Sequence, residues 1–275
     1  YLSVYLESLI EHRGDSNYDL IVLHKEITKE NQEILCLLCN KYENIHIRFF
    51  NARQILGDIK FFVAASFYSE EAYYRLLAPW ILSKYEKAII TDLDIIVQRD
   101  IADLYNSVTF SEEYIACAKD VVYQGMLNNG VENNLEYCKK TLKLNNPYHY
   151  VNTGVMVANL KKIREDFTLE EILDFSEKKQ FRIQEQDILN AFYDERIKFI
   201  DLKWNMYLKL NYWIDLFIRY APADEVELYN KALETPYILH WASQPKPWNE
   251  PDLTYAHVWW KYARKSPYYE VILQR

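Results

Sequence analysis

Glycine is scarce in this 275-residue chain, with five in all, at positions 14, 57, 125, 130 and 154. Neither the dinucleotide fingerprint nor a P-loop can be written on so few. Any phosphate bound here must be neutralised by a metal and side chains and not by a glycine-rich nest. Cysteine is sparser still. Of Cys36, Cys39, Cys117 and Cys138, only the first two form a C-x-x-C, inside the apolar run Ile34-Leu35-Cys36-Leu37-Leu38-Cys39. That run reads as a buried helix, and no second pair completes a zinc site, so the thiols are expected to be core packing. Long apolar stretches are missing too: none is long enough to span a bilayer, and no basic-plus-apolar leader is present. These absences point to the cytoplasm. Cations are outnumbered, 32 Lys plus Arg against 40 Asp plus Glu for a net charge of −8. That balance argues against a general nucleic-acid binder but not against a small anion held by local cations.

Aromatic residues are abundant: 24 Tyr, 12 Phe and 7 Trp. Rings fill cores and also stack on sugars and bases, and most of these are expected to be structural. Half the residues are apolar, enough for the core of one large α/β domain. The chain opens on Tyr1, already inside the helical pattern Leu2, Tyr5, Leu6, Leu9, Ile10, so an upstream segment is expected to have been removed or left out.

A pass along the chain gives alternating helices and strands with short connections. Leu20 to Leu23 reads as a strand, Thr28 as the cap of a helix to about Tyr42, and Ile45, Ile47 and Phe49 as a half-buried strand. Tyr73, Leu76, Leu77, Trp80 and Ile81 form one helical face that leaves Arg75 off the stripe. Ala88 to Thr91 and Tyr114 to Ala118 read as strands, and Gln124 to Asn146 as a polar loop and helix. Gly154 to Val157 is a further strand, with helices at Leu169 to Ser176 and Gln186 to Phe192. This rhythm predicts a single α/β domain over residues 1–275, with a mostly parallel sheet flanked by helices and a C-terminal helical extension at 249–275.

The chemistry concentrates at Asp92-Leu93-Asp94, where the Ala88 strand ends. Side chains two apart leave the same face of a strand, so both carboxylates project together. With His240 they make an oxygen-rich site with one nitrogen, suited to Mn²⁺. Lys246, six residues past the imidazole, adds a cation. A divalent ion and a lysine converging at a strand end fit a diphosphate, and the carboxyl ends of strands are where such sheets bind ligands. Each residue also has a plainer reading: the aspartates as a solvated strand end, His240 as a core histidine, Arg75 in a surface ion pair. Asn152 and Thr153 could make a turn with Gly154 needed for its backbone angles, and Gln186 and Asp187 could simply begin a helix.

Taken in order, Tyr74-Arg75-Leu76, Thr91-Asp92-Leu93-Asp94, Tyr150-Val151-Asn152-Thr153-Gly154-Val155, Gln184-Glu185-Gln186-Asp187-Ile188-Leu189-Asn190 and His240 with Lys246-Pro247-Trp248 resemble the motif series of family 8 glycosyltransferases. The likeness covers nearly the whole chain. It implies a GT-A fold and a retaining transfer of a hexose from UDP-galactose or UDP-glucose to an oligosaccharide or glycolipid acceptor, in bacterial lipopolysaccharide or capsule synthesis. Asp92, Asp94 and His240 would hold Mn²⁺, with Mg²⁺ as the alternative, and Lys246 would meet the diphosphate. Arg75, Asn152, Thr153, Gly154 and Glu185 would line the donor sugar, Gln186 would sit nearest the reacting carbon, and Asp120 lies where relatives contact the acceptor. Two departures stand out: Glu185 replaces the family's usual Asp, and the family's first strand, which helps hold uridine, lies ahead of Tyr1. Gln186 is uncharged and a poor nucleophile, which favours same-face attack, while Asp187 and Glu185 are the neighbours that could support a double displacement. A non-catalytic nucleotide-sugar or glycan-binding domain and a nucleotide-sugar hydrolase are the competing functions. Val258 to Lys265 mixes rings with cations. It is expected either to rest on the inner face of the cell membrane or to pack as a helix.

Overall fold

A computed structural model of the chain describes residues 1–57, 61, 63, 69–177 and 181–274. Strands β1 (Tyr18–His24) and β2 (Ile45–Asn51) pair in parallel, from Tyr18 opposite Ile45 to His24 opposite Asn51. The helix joining them, Lys29–Cys39, starts where the Thr28 hydroxyl accepts from Asn31 N, as its sequence predicts. The central sheet contains β3 (Ala88–Thr91), β5 (Ile115–Lys119), β6 (Val151–Ala158) and β7 (Ile197–Phe199), in the order β3-β6-β5-β7. A third sheet orders β4 (Ile95–Val97), β9 (Ile238–His240) and β8 (Met206–Tyr207) as β4-β9-β8.

The α/β order and the helix-flanked sheets are as expected, but the sheet is mixed and not mostly parallel. β6 runs antiparallel to both β3 and β5, and β4 antiparallel to β9, while β5 with β7 and β8 with β9 are parallel. Apolar runs separated by helices fix which segments are strands; they do not encode direction. All eight residues of β6 are buried, which makes this strand the floor of the molecule. Opposite β5 its register slips between Cys117 and Ala118, which pair with Met156 and Asn152. Asn152, Thr153 and Gly154 therefore lie in an irregular stretch of strand and not in a turn ahead of it.

The expected Gln124 to Asn146 helix is broken. A helix spans Val121–Asn129 and ends where Gly130 takes φ +71°, the left-handed geometry that stops a helix. Three short segments follow, the tight turn Val131–Asn133, the helical turn Asn134–Tyr137 and the wide turn Cys138–Leu142. Trp241, Trp259, Tyr73, Tyr74, Tyr150, Tyr193, Tyr229 and Tyr262 are fully buried, and of the described aromatic residues only Tyr105, Phe199, Tyr212, Trp213 and Tyr220 are exposed. The C-terminal helix Ala256–Ala263 packs on the first helix, Leu2–His12. Trp259 and Tyr262 face inward, and Lys261 and Lys265 both pair with Glu11. All four cysteines are free. Among the described residues no helix is long and apolar enough to cross a membrane.

Candidate functional site

Beyond Thr91 the chain bends through Asp92, Leu93 and Asp94 before β4 begins at Ile95. Backbone bonds pin the bend on both sides: Asp92 N donates to Gly154 O at 2.7 Å, and Trp241 N donates to Asp94 O at 3.1 Å. Because Ile95 pairs with His240 across β4 and β9, the imidazole returns to the bend from 146 residues away in sequence, counting from Asp94 to His240. His240 Nε2 stands 3.3 Å from Asp94 Oδ1 and 3.5 Å from Asp92 Oδ2. One ligand atom from each of the three lies within 4.8 Å of the others.

Three features of this structure fit a divalent cation here. Asp94 Oδ1 and His240 Nε2 are buried with no aligned hydrogen-bond partner, and orphaned polar atoms of that kind need a reason. His240 Nδ1 is 2.7 Å from Asn205 Oδ1. The Asn205 amide nitrogen already donates to Asn152 O and Oδ1, at 3.2 and 2.9 Å. Its oxygen must therefore accept, so Nδ1 carries the hydrogen and Nε2 turns its lone pair to the carboxylates, the usual support of a ligating histidine. Lastly, a Cβ on Gly154 would fall 2.2 Å from His240 Cε1 and 2.8 Å from Asp92 Oδ2. Gly154 is needed for space, then, and not for its backbone angles, since its φ is not positive.

Charges run through the site in alternation. Arg75, buried, pairs with Asp92 Oδ1, donates to Thr153 O at 2.5 Å, and has its Nε 3.7 Å from Glu185 Oε1. Lys246 Nζ donates to Asp94 Oδ2 and to Trp241 O, both at 2.5 Å. Burial would raise the Asp94 carboxyl, but Lys246 and His240 hold it well below the usual carboxylate range. Burial would lower His240, yet the two aspartates push it up to about 9. Two carboxylates facing one ring thus hold a positive charge, either as a ring proton or as a metal ion in its place. Glu185 is pushed up to about 7 by burial, against Arg75.

A neutral amide network forms the far wall. Asn152 Oδ1 accepts from Gly154 N at 3.0 Å, and its Nδ2 donates to Asp120 Oδ2 at 3.2 Å. Gln186 Oε1 accepts from Thr153 N at 3.1 Å and its Nε2 donates to Asp120 Oδ2 at 3.4 Å. Asp120 also caps the Val121–Asn129 helix through Tyr123 N, and burial raises its carboxyl. Asp187 behaves differently. Its side chain is fully buried and accepts from Tyr150 OH at 2.6 Å, Tyr137 OH at 2.7 Å and Ile183 N at 2.9 Å. Both oxygens are spent on holding the Gln184–Phe192 helix to its neighbours, so Asp187 positions the residues around it.

Asp92, Asp94, His240, Arg75, Asp120, Asn152, Thr153, Glu185, Gln186 and Lys246 line one cavity of about 1500 Å³. That exceeds the few hundred to one thousand Å³ of an ordinary ligand pocket, because the cavity also runs between the facing edges of β1 and β3. Gly154 stands behind its wall, and Asp187 outside it. Asn205, Tyr137 and Tyr150 are supporting residues. Tyr150 opens the Tyr150–Val155 motif, but nothing local marks Asn205 or Tyr137.

The family model for Glycosyl transferase family 8 matches residues 1–252. A putative glycosyltransferase of Haemophilus influenzae is 27% identical over 208 residues, covering 74% of this chain and 59% of that protein. The lipopolysaccharide 1,2-glucosyltransferase of Escherichia coli is 23% identical over 275 residues, 95% of this chain and 70% of its own. Among solved structures, the bifunctional glycosyltransferase WbbM in its apo form superposes with a TM-score of 0.88 at 26% identity, over 99% of this chain and 49% of that one. The chain thus spans about half to three fifths of the Haemophilus protein and of WbbM.

Proposed function

Because this chain belongs to glycosyl transferase family 8, we propose that it moves a hexose from UDP-galactose or UDP-glucose to a glycan acceptor with retention of configuration, using Mn²⁺ or Mg²⁺ on Asp92, Asp94 and His240. The observation that carries this reading is the meeting of those three ligand atoms within 4.8 Å, in the cavity that also holds Lys246, Arg75 and Gln186. A divalent cation there supplies Lewis-acid neutralisation of the diphosphate leaving group. Lys246, anchored beside Asp94, shares that task, and Arg75 fixes Asp92 and the Thr153 carbonyl.

Retention requires either a covalent sugar on the enzyme or attack on the face that the leaving group vacates. Gln186 carries no charge, and its amide oxygen is bonded to Thr153 N. Asp187 has both oxygens engaged and no exposure. Same-face attack is therefore the reading we adopt: the bond from the sugar carbon to the UDP oxygen breaks, the acceptor oxygen bonds that carbon, and its proton passes to the departing phosphate. Glu185, raised by burial and next to Arg75, serves as a hydroxyl contact for the donor sugar.

The E. coli relative's name supports a lipopolysaccharide acceptor, with capsule as the neighbouring class, and hence work at the inner face of the cell membrane. Any surface attachment through 256–265 would use Trp260 and Arg264, since Trp259 and Tyr262 are packed inside. Within the described residues, β1 pairs only with β2 and β3 only with β6. Their free edges line the cavity together with Tyr5 and Leu9, a slot suited to the one extended strand that the resemblance puts ahead of Tyr1. The contact of Ser3 with Ser266 at 2.8 Å, between the first helix and residues 249–274, supports reading the extension as part of the same domain.

The test is UDP release from a panel of UDP-sugars, with and without Mn²⁺ and candidate acceptors. Metal-dependent turnover that rises with acceptor is expected, and Asp94→Asn should lose it by about a hundredfold or more with an unchanged circular-dichroism spectrum. Turnover without acceptor dependence would mark a hydrolase, and no turnover of any donor a binding domain.

A further inference from the structure

The helix Tyr212–Tyr220 carries a feature that donor chemistry leaves unused. Tyr212 is 70% exposed and Trp213 61%, although large rings are ordinarily buried. Tyr220, seven residues beyond Trp213 and so on the same face, is 47% exposed. The aromatic stripe extends roughly 10 Å along the helix at 1.5 Å per residue. It is not an isolated patch. Trp213 and Phe217 line the same cavity as Asp92, Asp94 and His240. Asn211 caps the helix through Trp213 N and Ile214 N and donates from Nδ2 to Gln244 O at 3.0 Å, in the loop that carries Lys246. The helix also packs on Val121–Asn129, whose cap is Asp120. The stripe therefore starts at the cavity mouth, on the side of Asp120, and leads outward.

Its charge balance selects the occupant. The cations on this face, Lys209 and Arg219, are both held by Asp215. The neighbouring Ala223–Glu234 helix presents Asp224, Glu227 and Glu234 against one cation, Lys231. A face of rings with its cations neutralised and carboxylates alongside repels an anionic membrane surface. Flat rings with polar edges suit the apolar C–H face of a neutral pyranose. Asn134 adds a second sign: only 2% exposed and on the cavity lining, its Nδ2 has no hydrogen-bond partner. A sugar hydroxyl would satisfy it.

We propose that Trp213, with Tyr212 and Tyr220 behind it, is a stacking platform for the acceptor glycan, gripping neutral sugar units beyond the one that receives the hexose. This rests on the transferase reading above and deepens it, because it makes the enzyme an extender of chains and not of free monosaccharides. Trp213 acts in acceptor binding.

The test uses neutral gluco- and galacto-oligosaccharides of increasing length as probes, followed by saturation-transfer NMR and tryptophan fluorescence, so that binding is read without turnover. Affinity is expected to rise with length in the wild type. In Trp213→Ala that dependence should disappear, costing the longer probes about five- to tenfold in affinity, and Trp213→Phe should restore most of it. Mn²⁺ affinity should be unchanged in both variants. Length-independent binding, an absence of binding in the wild type, or an unaltered Trp213→Ala would overturn the proposal. So would capture of phosphatidylglycerol vesicles that depends on Trp213. Trp213-dependent glycan binding without turnover of any UDP-sugar would sink the transferase reading and leave this one standing; turnover without that binding would do the reverse.

Discussion

Replacing Lys246 by methionine should tighten divalent-cation binding and, at the same time, disable transfer. The ammonium donates to Asp94 Oδ2 at 2.5 Å and to Trp241 O at 2.5 Å, with its side chain only 13% exposed. Asp94 is also one of the three candidate metal ligands. An arriving cation must therefore compete with Nζ for one carboxylate. A hydrogen bond between charged groups contributes about 1.5–3 kcal/mol, which at about 1.4 kcal/mol per decade is roughly ten- to a hundredfold in dissociation constant. Lysine can keep its bond to Trp241 O after yielding Asp94, so the lower end applies, and a gain of about tenfold is expected. Methionine keeps the length and flexibility of the side chain and removes the charge. The assay is titration with Mn²⁺ followed by the electron paramagnetic resonance of the free ion, with Asp94→Asn as the variant that should not bind. UDP release on the same samples should fall by about a hundredfold or more, because the leaving group loses a cation. A Mn²⁺ affinity in Lys246→Met equal to or weaker than wild type would refute the claim that ammonium and metal share Asp94.

The parts of the site that sequence exposes are those whose chemistry requires unusual residues in a row. Asp92, Asp94 and His240 can be read because a spaced acidic pair and a distant histidine beside Lys246 form an ordered series, and β4 with β9 brings them together. The supports are invisible for a physical reason. Asn205 sets the His240 tautomer from the last residue of the Leu202–Asn205 turn, just ahead of β8, where neither periodicity nor motif distinguishes it from any loop asparagine. Arg75 falls off the apolar stripe of its helix, a pattern that ordinarily means solvent, yet it is buried because Asp92 and Glu185 pull it inward. Gly154 illustrates the limit from the other direction. A lone glycine before a strand suggests a turn, whereas its role is to leave the volume that His240 and Asp92 occupy. Strand direction was equally hidden, since it depends on how each connection returns and not on the residues inside a strand.

Gly154→Ala should weaken Mn²⁺ binding by tenfold or more, since relieving its contact with His240 Cε1 at 2.2 Å must displace a ligand at an overpacking cost of about 1–3 kcal/mol; unchanged affinity would mean that the ring is not a ligand. Asp187→Asn should lower the urea midpoint by the equivalent of about 1–3 kcal/mol through the loss of its carboxylate bonds to Tyr137 and Tyr150. Undiminished stability with lost turnover would instead restore Asp187 as a nucleophile. The C-terminal helix offers a prediction with a defined pH window. Burial would raise the Glu11 carboxyl, but Lys261 and Lys265 hold it down to about 2, below the ordinary 4.5. The folded state thus binds this proton less readily than the unfolded chain, so the stability Glu11 contributes is complete above about pH 4.5 and is lost as pH falls through about 2. The group is partly exposed, so screening limits the contribution to about 1 kcal/mol or less. Comparing wild type with Glu11→Gln by urea unfolding, the gap should be widest at neutral pH, narrow in acid and shrink in 1 M salt, where the Debye length falls to about 3 Å. A gap that persisted unchanged at acid pH and high salt would show that packing of Trp259 and Tyr262, and not the Glu11 pairs, fastens this helix to the body.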